Sequence, residues 1–315
     1  MKKKVLIAGI GGVGGFIGAK LAKFAESNPD IEIYFLCRGK NLEAINENGI
    51  ELIEPNRNTV AYPFKSSDNC ANFPIMDAVV LACKSYDLES MCDLIAATVS
   101  DKTLIVPLLN GIKHSDYLKH RFRTAIISSA FIYIVSKLER PGQVLMDSKQ
   151  HSLYFGNDGS NKNVLLEFEK LLVDAGINAH CVSNIDEHIW RKFTFISPIA
   201  TYTSAYNLSK QDIAENENHL NQLKGLMREI IQLSRQLGIL LPENILDLHV
   251  EQFLKLPDNS SSSMHRDYLF GKQTEIESLS EFIVIESKKL ALDTPIYEEL
   301  IYKIKNQTCY LNGEI

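Results

Sequence analysis

The chain has 315 residues, 45% of them hydrophobic, more than one domain of ordinary size needs, so two domains are expected. A formal net charge of -6 and a pI near 5.8 give no electrostatic case for nucleic acid or an anionic membrane surface as partner, which leaves a small molecule. Lys2-Lys3-Lys4 run into an apolar stretch too short for a secretory segment or a membrane span, and the expected location is the cytoplasm.

In chain order, the first element is the most informative. Val5 to Ala8 form a short apolar run without alternation, the pattern of a strand buried on both faces of a parallel sheet. It stops at Gly9-Ile10-Gly11-Gly12-Val13-Gly14, a G-x-G-x-x-G, after which Phe16, Ile17 and Leu21 return at helical spacing. In such a strand, glycine turn and helix, Gly9 permits the turn, Gly11 admits a pyrophosphate to the backbone and Gly14 lets the helix lie close to the strand. The N–H groups around Gly12, Val13 and Gly14 then face the phosphates, so a dinucleotide site is expected here.

Ile31 to Cys37 reads as a second strand and ends in Arg38, where an NAD-preferring site usually carries an acid for the ribose 2′-hydroxyl. A guanidinium there binds a 2′-phosphate with a bidentate fork, so NADP is favoured over NAD. Gly49 to Phe64 predicts a hairpin turning at Pro55-Asn56. Asp77 to Lys84 and Thr103 to Leu109 are further buried strands. They bring Lys84 and Asn110 to the carboxyl edge, where parallel sheets bind ligands. Strands are also predicted within Thr124 to Lys137, at Gln143 to Met146, Ser152 to Phe155 and Asn178 to Val182, with a helix over Lys162 to Ala175.

From Asn184 onward the strand signal vanishes. Ile185 to Tyr202 has helical length, Leu220, Leu223, Met227, Ile230 and Leu237 trace an apolar face ending at Gly238, and Pro242 can open a helix through Ile245, Leu248 and Phe253. Pro257 to Ser263 predicts an exposed loop feeding a helix, and a further helix is expected over Thr274 to Leu290. The expected architecture is α/β, a dinucleotide-binding domain over 1–183 followed by an all-helical domain over 184–315. Six cysteines (Cys37, Cys70, Cys83, Cys92, Cys181 and Cys309) show no C-x-x-C pairing and read as reduced thiols. Eight histidines include no H-E-x-x-H, and no metal site is expected.

Several motifs recur together in order and spacing: the glycine run Gly9 to Leu21, Arg38, K-S-Y-D at Lys84 to Asp87, L-N-G at Leu109 to Gly111, W-R-K-F at Trp190 to Phe193, S-S-M at Ser262 to Met264 and T-E-I-E at Thr274 to Glu277. With them nearly the whole chain resembles the ketopantoate reductase (2-dehydropantoate 2-reductase) family. The resemblance implies a Rossmann domain followed by a helical domain of the 6-phosphogluconate dehydrogenase C-terminal kind. It also implies reduction of 2-dehydropantoate to (R)-pantoate with NADPH, a step of pantothenate synthesis. Lys192 would be the catalytic lysine that polarises the ketone and supplies the proton, and Glu275 the second polar group that orients it or holds substrate. Ser263 would hold the substrate carboxylate, Asn110 would lie by nicotinamide and ketone, and Arg38 and Lys84 would share the 2′-phosphate and adenine end.

Where the family usually has asparagines four and eight positions after the lysine, this chain has Ile196 and Ala200, and Ser280-Glu281 replaces a usual Asn-Gly. The hydroxyls of Ser197, Thr201 or Thr203 are candidates to replace the lost contacts. The alternatives are the same chemistry on a different 2-keto acid, or a NADP-binding sensor without turnover. A monomer and a homodimer are both compatible with the sequence.

Overall fold

The computed structural model describes residues 2–148, 150–157 and 159–311, the side chains of 307–311 excepted, so the Cys309 side chain lies outside the described residues. The chain divides into two compact units, Met1–Leu109 with Lys113–Ile185, and Asn110–Ile112 with Asp186–Ile315.

The first unit is built on a six-stranded, wholly parallel sheet in the order Lys65–Ser67, Ile31–Leu36, Lys3–Ala8, Ala78–Leu81, Leu104–Pro107, Ile126–Ile127. Its central strand shows why the opening run has no alternation. Val5 and Ile7 enter a core with Phe16, Ile17 and Leu21, whereas Leu6 and Ala8 enter another with Leu88, Cys92 and Ile95. Each such buried side chain contributes about 1.5–3 kcal/mol, so a charge at position 6 or 7 would cost the sheet a core on one face.

A four-stranded sheet covers the helix Gly12–Ala25 on its other side, in the order Ser136–Arg140, Gln143–Met146, Ile50–Glu54, Arg57–Ala61. The hairpin expected at Gly49 to Phe64 forms its Ile50–Glu54 and Arg57–Ala61 pair. This layer explains the glycine content of the helix: a Cβ at Gly14 would run into the Gly9 carbonyl, and one at Gly12 into the Ser136 carbonyl. A third sheet holds Ala179–Cys181, Ser152–Gly156 and Ser129–Tyr133, with Phe155 packed edge-on against Phe168 of the helix Lys162–Asp174 at 5.7 Å. The expected stretch Thr124 to Lys137 therefore resolves into pieces of three sheets, which hydrophobic pattern alone does not reveal.

The second unit is helical: Ile185–Tyr206, Lys210–Ala214, Glu217–Gln236, Ile245–Leu254, Ser263–Leu269, a π-helical turn Glu277–Glu281 continuing into Phe282–Lys289, and Pro295–Leu311. Trp190, Phe193, Leu223, Met227, Ile230, Phe253, Phe282 and Tyr297 share its core. Helix starts are satisfied by side chains: Ser209 forms a capping box with Asp212, Asn216 accepts from Asn218 and His219, and the buried Glu229 carboxylate accepts from the Ile296 and Tyr297 amides at 2.9 and 3.1 Å.

Three expectations are corrected. Leu237 is 42% exposed, because the helix has already ended at Gln236 and the residue stands at its cap. Ser260 to Ser263 are half-buried, tied to the helical unit by the Lys210 amide donating to the Ser260 carbonyl at 2.9 Å. The helix expected from Thr274 begins later and opens with the π turn. Among the described residues no helix is long and apolar enough to cross a membrane.

Candidate active site

In the first unit the strand Lys3–Ala8 ends at Gly9, whose φ of +98° is the left-handed region that glycine alone enters cheaply. Gly11 precedes the helix with an extended backbone and no atom within 4 Å of the place a Cβ would take. Protein packing therefore does not require glycine there, and the open space leaves the backbone accessible to a ligand. The first turn holds no acidic residue and no side-chain cap, so its N–H groups and the positive helix end are directed outward.

The strands Ile31–Leu36 and Ala78–Leu81 flank Lys3–Ala8 in parallel, which brings Arg38 and Lys84 to the same carboxyl edge on either side of the glycine turn. Arg38 is exposed, as is Lys40 two residues on, and Lys84 is half-buried. A cationic edge beside outward N–H groups fits a phosphorylated dinucleotide. Asn41 holds this edge together: its side chain donates to the Ile10 carbonyl at 2.9 Å and accepts from the Gly142 amide at 2.8 Å. Reasoning from sequence missed Asn41, because neither partner is near it in the chain.

In the second unit Lys192 lies on the helix Ile185–Tyr206 and donates to Asn110 Oδ1 at 3.3 Å. Burial pulls its ammonium down to about 8, while the nearby Glu275 carboxylate opposes that shift. Glu275 is 3% exposed, just ahead of the π turn. The structure thus brings Lys192, Asn110 and Glu275 together within one unit, an arrangement able to give a proton to an oxygen that gains negative charge.

Ser263 opens the helix Ser263–Leu269 and is half-buried. The serines before it are held by His265. Asn207 Oδ1 accepts from His265 Nε2 at 2.9 Å, which leaves Nδ1 to accept from the Ser261 hydroxyl. Ser262 Oγ accepts from the His265 amide at 3.0 Å and meets Thr203 Oγ1 at 3.0 Å. Burial holds the His265 imidazole below its ordinary value, keeping this tautomer neutral.

The hydroxyls considered as replacements for the missing asparagines are already engaged. Ser197 donates to the Leu279 carbonyl at 2.5 Å and meets the Tyr297 hydroxyl at 2.7 Å. Thr201 donates to the Ser197 carbonyl at 2.9 Å and meets Ser280 Oγ at 2.7 Å. Both are fully buried and fasten the π turn to the long helix, which is the structural use of Ser280. Thr203 donates to the Ile199 carbonyl at 2.7 Å. A second unanticipated group is His249, 2% exposed, whose Nε2 lies 2.8 Å from Thr194 Oγ1 beneath the Lys192 turn.

The chain is similar to known proteins along nearly its whole length. A profile described as ketopantoate reductase PanE/ApbA matches residues 5–159, and that of its C-terminal part matches residues 184–308. A Bacillus subtilis protein, described only as an uncharacterized oxidoreductase, is 26% identical over 94% of this chain and 95% of its own length. The crystal structure of 2-dehydropantoate 2-reductase from Porphyromonas gingivalis superposes with a TM-score of 0.85 at 26% identity, covering 96% of this chain and 99% of that one. A D-mandelate dehydrogenase solved with NADH and anilino(oxo)acetate has the same fold, with a TM-score of 0.88 at 22% identity over 98% of this chain and 99% of that one.

Proposed function

Because this chain belongs to the ketopantoate reductase family, we propose that it is an NADPH-dependent reductase of a 2-oxo acid, with 2-dehydropantoate to (R)-pantoate as the reaction the family name gives. The glycine turn would hold the dinucleotide, with Arg38 and Lys84 at the 2′-phosphate of NADPH, and the cofactor would supply the hydride that the keto carbon receives. As negative charge grows on the keto oxygen, the Lys192 ammonium meets it and gives up its proton. Asn110 fixes the direction of that ammonium, and Glu275 keeps it protonated. Ser263 takes the substrate carboxylate, its loop held by the Ser261, His265 and Asn207 hydrogen bonds.

The observation that carries this reading is Lys192 itself: half-buried on the long helix, aimed by the Asn110 side chain at 3.3 Å and influenced by the Glu275 charge. The test is NADPH oxidation with 2-dehydropantoate by the wild type and Lys192→Ala. Loss of turnover by about 100- to 10,000-fold with NADPH binding retained is the expected result. Turnover unaffected by the substitution would sink the reading, and a sensor without turnover would show none in either protein. A second reading keeps the chemistry and changes the acid, and the apolar residues at 196 and 200 favour it.

A further inference from the structure

The residues that share the Lys192 side of the helix Ile185–Tyr206 fall at 196, 199, 200 and 203. Ile196 is half-buried, whereas Ile199 and Ala200 are buried in the helical core, so the side chain this face offers beside the ammonium is the apolar, partly open Ile196. Thr203 comes next, buried and committed to the Ile199 carbonyl and to Ser262. Ser197 and Thr201 lie on the opposite side, fully buried and engaged with the π turn and Tyr297. The Ser197, Thr201 and Thr203 hydroxyls are therefore each already hydrogen-bonded inside the protein.

A 2-oxo acid presents two polar groups to such a surface, the carboxylate and the keto oxygen, and Ser263, Asn110 and Lys192 suffice to receive them. What remains of the substrate would lie along Ile196, one turn from Lys192 on the same side of the helix. An alkyl or aryl substituent gains burial there, whereas a hydroxyl loses its water without receiving a partner. Resting on the reductase reading above, we infer that the chain selects 2-oxo acids whose carbon chain beyond the keto group is wholly apolar, lacking the terminal hydroxyl of 2-dehydropantoate. Ile196 is the residue that sets this preference.

The test compares kcat/KM, with NADPH, for 2-dehydropantoate and for trimethylpyruvate, which has the same branched skeleton with hydrogen in place of the hydroxyl. The apolar acid is expected to be favoured by about 10- to 100-fold, the range by which an apolar pocket rejects an added hydroxyl. Ile196→Asn is expected to shift the ratio toward 2-dehydropantoate by about tenfold or more while leaving NADPH affinity unchanged. Ile196→Thr, closer in shape, provides the same comparison if the asparagine variant does not fold, with a smaller shift in the same direction. Equal or better use of 2-dehydropantoate by the wild type, or a ratio indifferent to residue 196, overturns the inference and leaves the reductase reading standing. Failure to reduce any 2-oxo acid, with NADPH bound, overturns the reading on which it rests.

Discussion

Lys192 donates a hydrogen bond to the Asn110 side-chain oxygen at 3.3 Å, joining the long helix to a turn 82 residues earlier in the chain. Asn110 leaves the parallel sheet just after Leu104–Pro107, yet Asn110–Ile112 groups with the helical unit, where Ile112 packs on its core. The amide thus arrives on the same framework as the lysine.

The Lys192 ammonium, lowered to about 8 by burial, sets a pH limit. Reduction needs the charged acid, so kcat/KM should be flat below pH 8 and fall about tenfold per pH unit above it. Glu275→Gln removes the anion that favours the charged form and should move the break to lower pH. A pH–rate profile of both proteins checks this; a break that stays in place when Glu275 is neutralised would refute the coupling.

Arg38→Ala should weaken NADPH by about 10- to 100-fold, the scale of a lost charge-assisted hydrogen bond, and leave NADH nearly unchanged. Titration of both cofactors decides it. Equal loss for the two would remove Arg38 from the 2′-phosphate.

Asn41→Ala should act differently. Its two hydrogen bonds span Ile10 and Gly142, so it supports the turn itself, and its loss should weaken NADPH and NADH alike. Each bond contributes about 0.5–1.5 kcal/mol, and Asn41→Asp, which keeps the acceptor for Gly142 but sets a carboxylate oxygen against the Ile10 carbonyl, should weaken both cofactors at least as much. A selective loss of NADPH would contradict this role.

His249 couples the helical unit to pH. Burial first, and then the positive Arg191, holds its imidazole down to about 4, so the folded protein keeps it neutral where the unfolded chain already binds a proton. Stability from this group is complete above the unfolded value of about 6.5 and declines as pH falls toward 4, by up to about 3 kcal/mol. Urea midpoints of wild type and His249→Gln across this window should converge at low pH; parallel curves would show that His249 does not titrate between the two states.

Much of the first unit can be read from the chain because its determinants are local. Gly9 to Gly14, Arg38 and the buried strands are each visible within a few residues. The helical unit is less legible for a physical reason. Whether Ser197 and Thr201 are available depends on what lies across from them, and Leu279, Ser280 and Tyr297 are about 80 to 100 residues away. Nor does helical periodicity announce a π turn, since Glu277 to Glu281 keep an ordinary helical composition while their hydrogen bonds shift by one residue. His249 was hidden for the same reason: its partner, Thr194, belongs to another helix.

The segment 126–140 contributes Ile126–Ile127 to the parallel sheet, Ser129–Tyr133 to the three-stranded sheet and Ser136–Arg140 to the four-stranded one. No sheet can lose its piece without pulling on the next within a residue or two. Amide hydrogen exchange at Ile105, Val144 and Leu153, one in each sheet, should accordingly report a single opening free energy rather than three. The first unit is then one cooperative body, and a lesion in its outermost layer is felt as readily as one beneath the glycine turn.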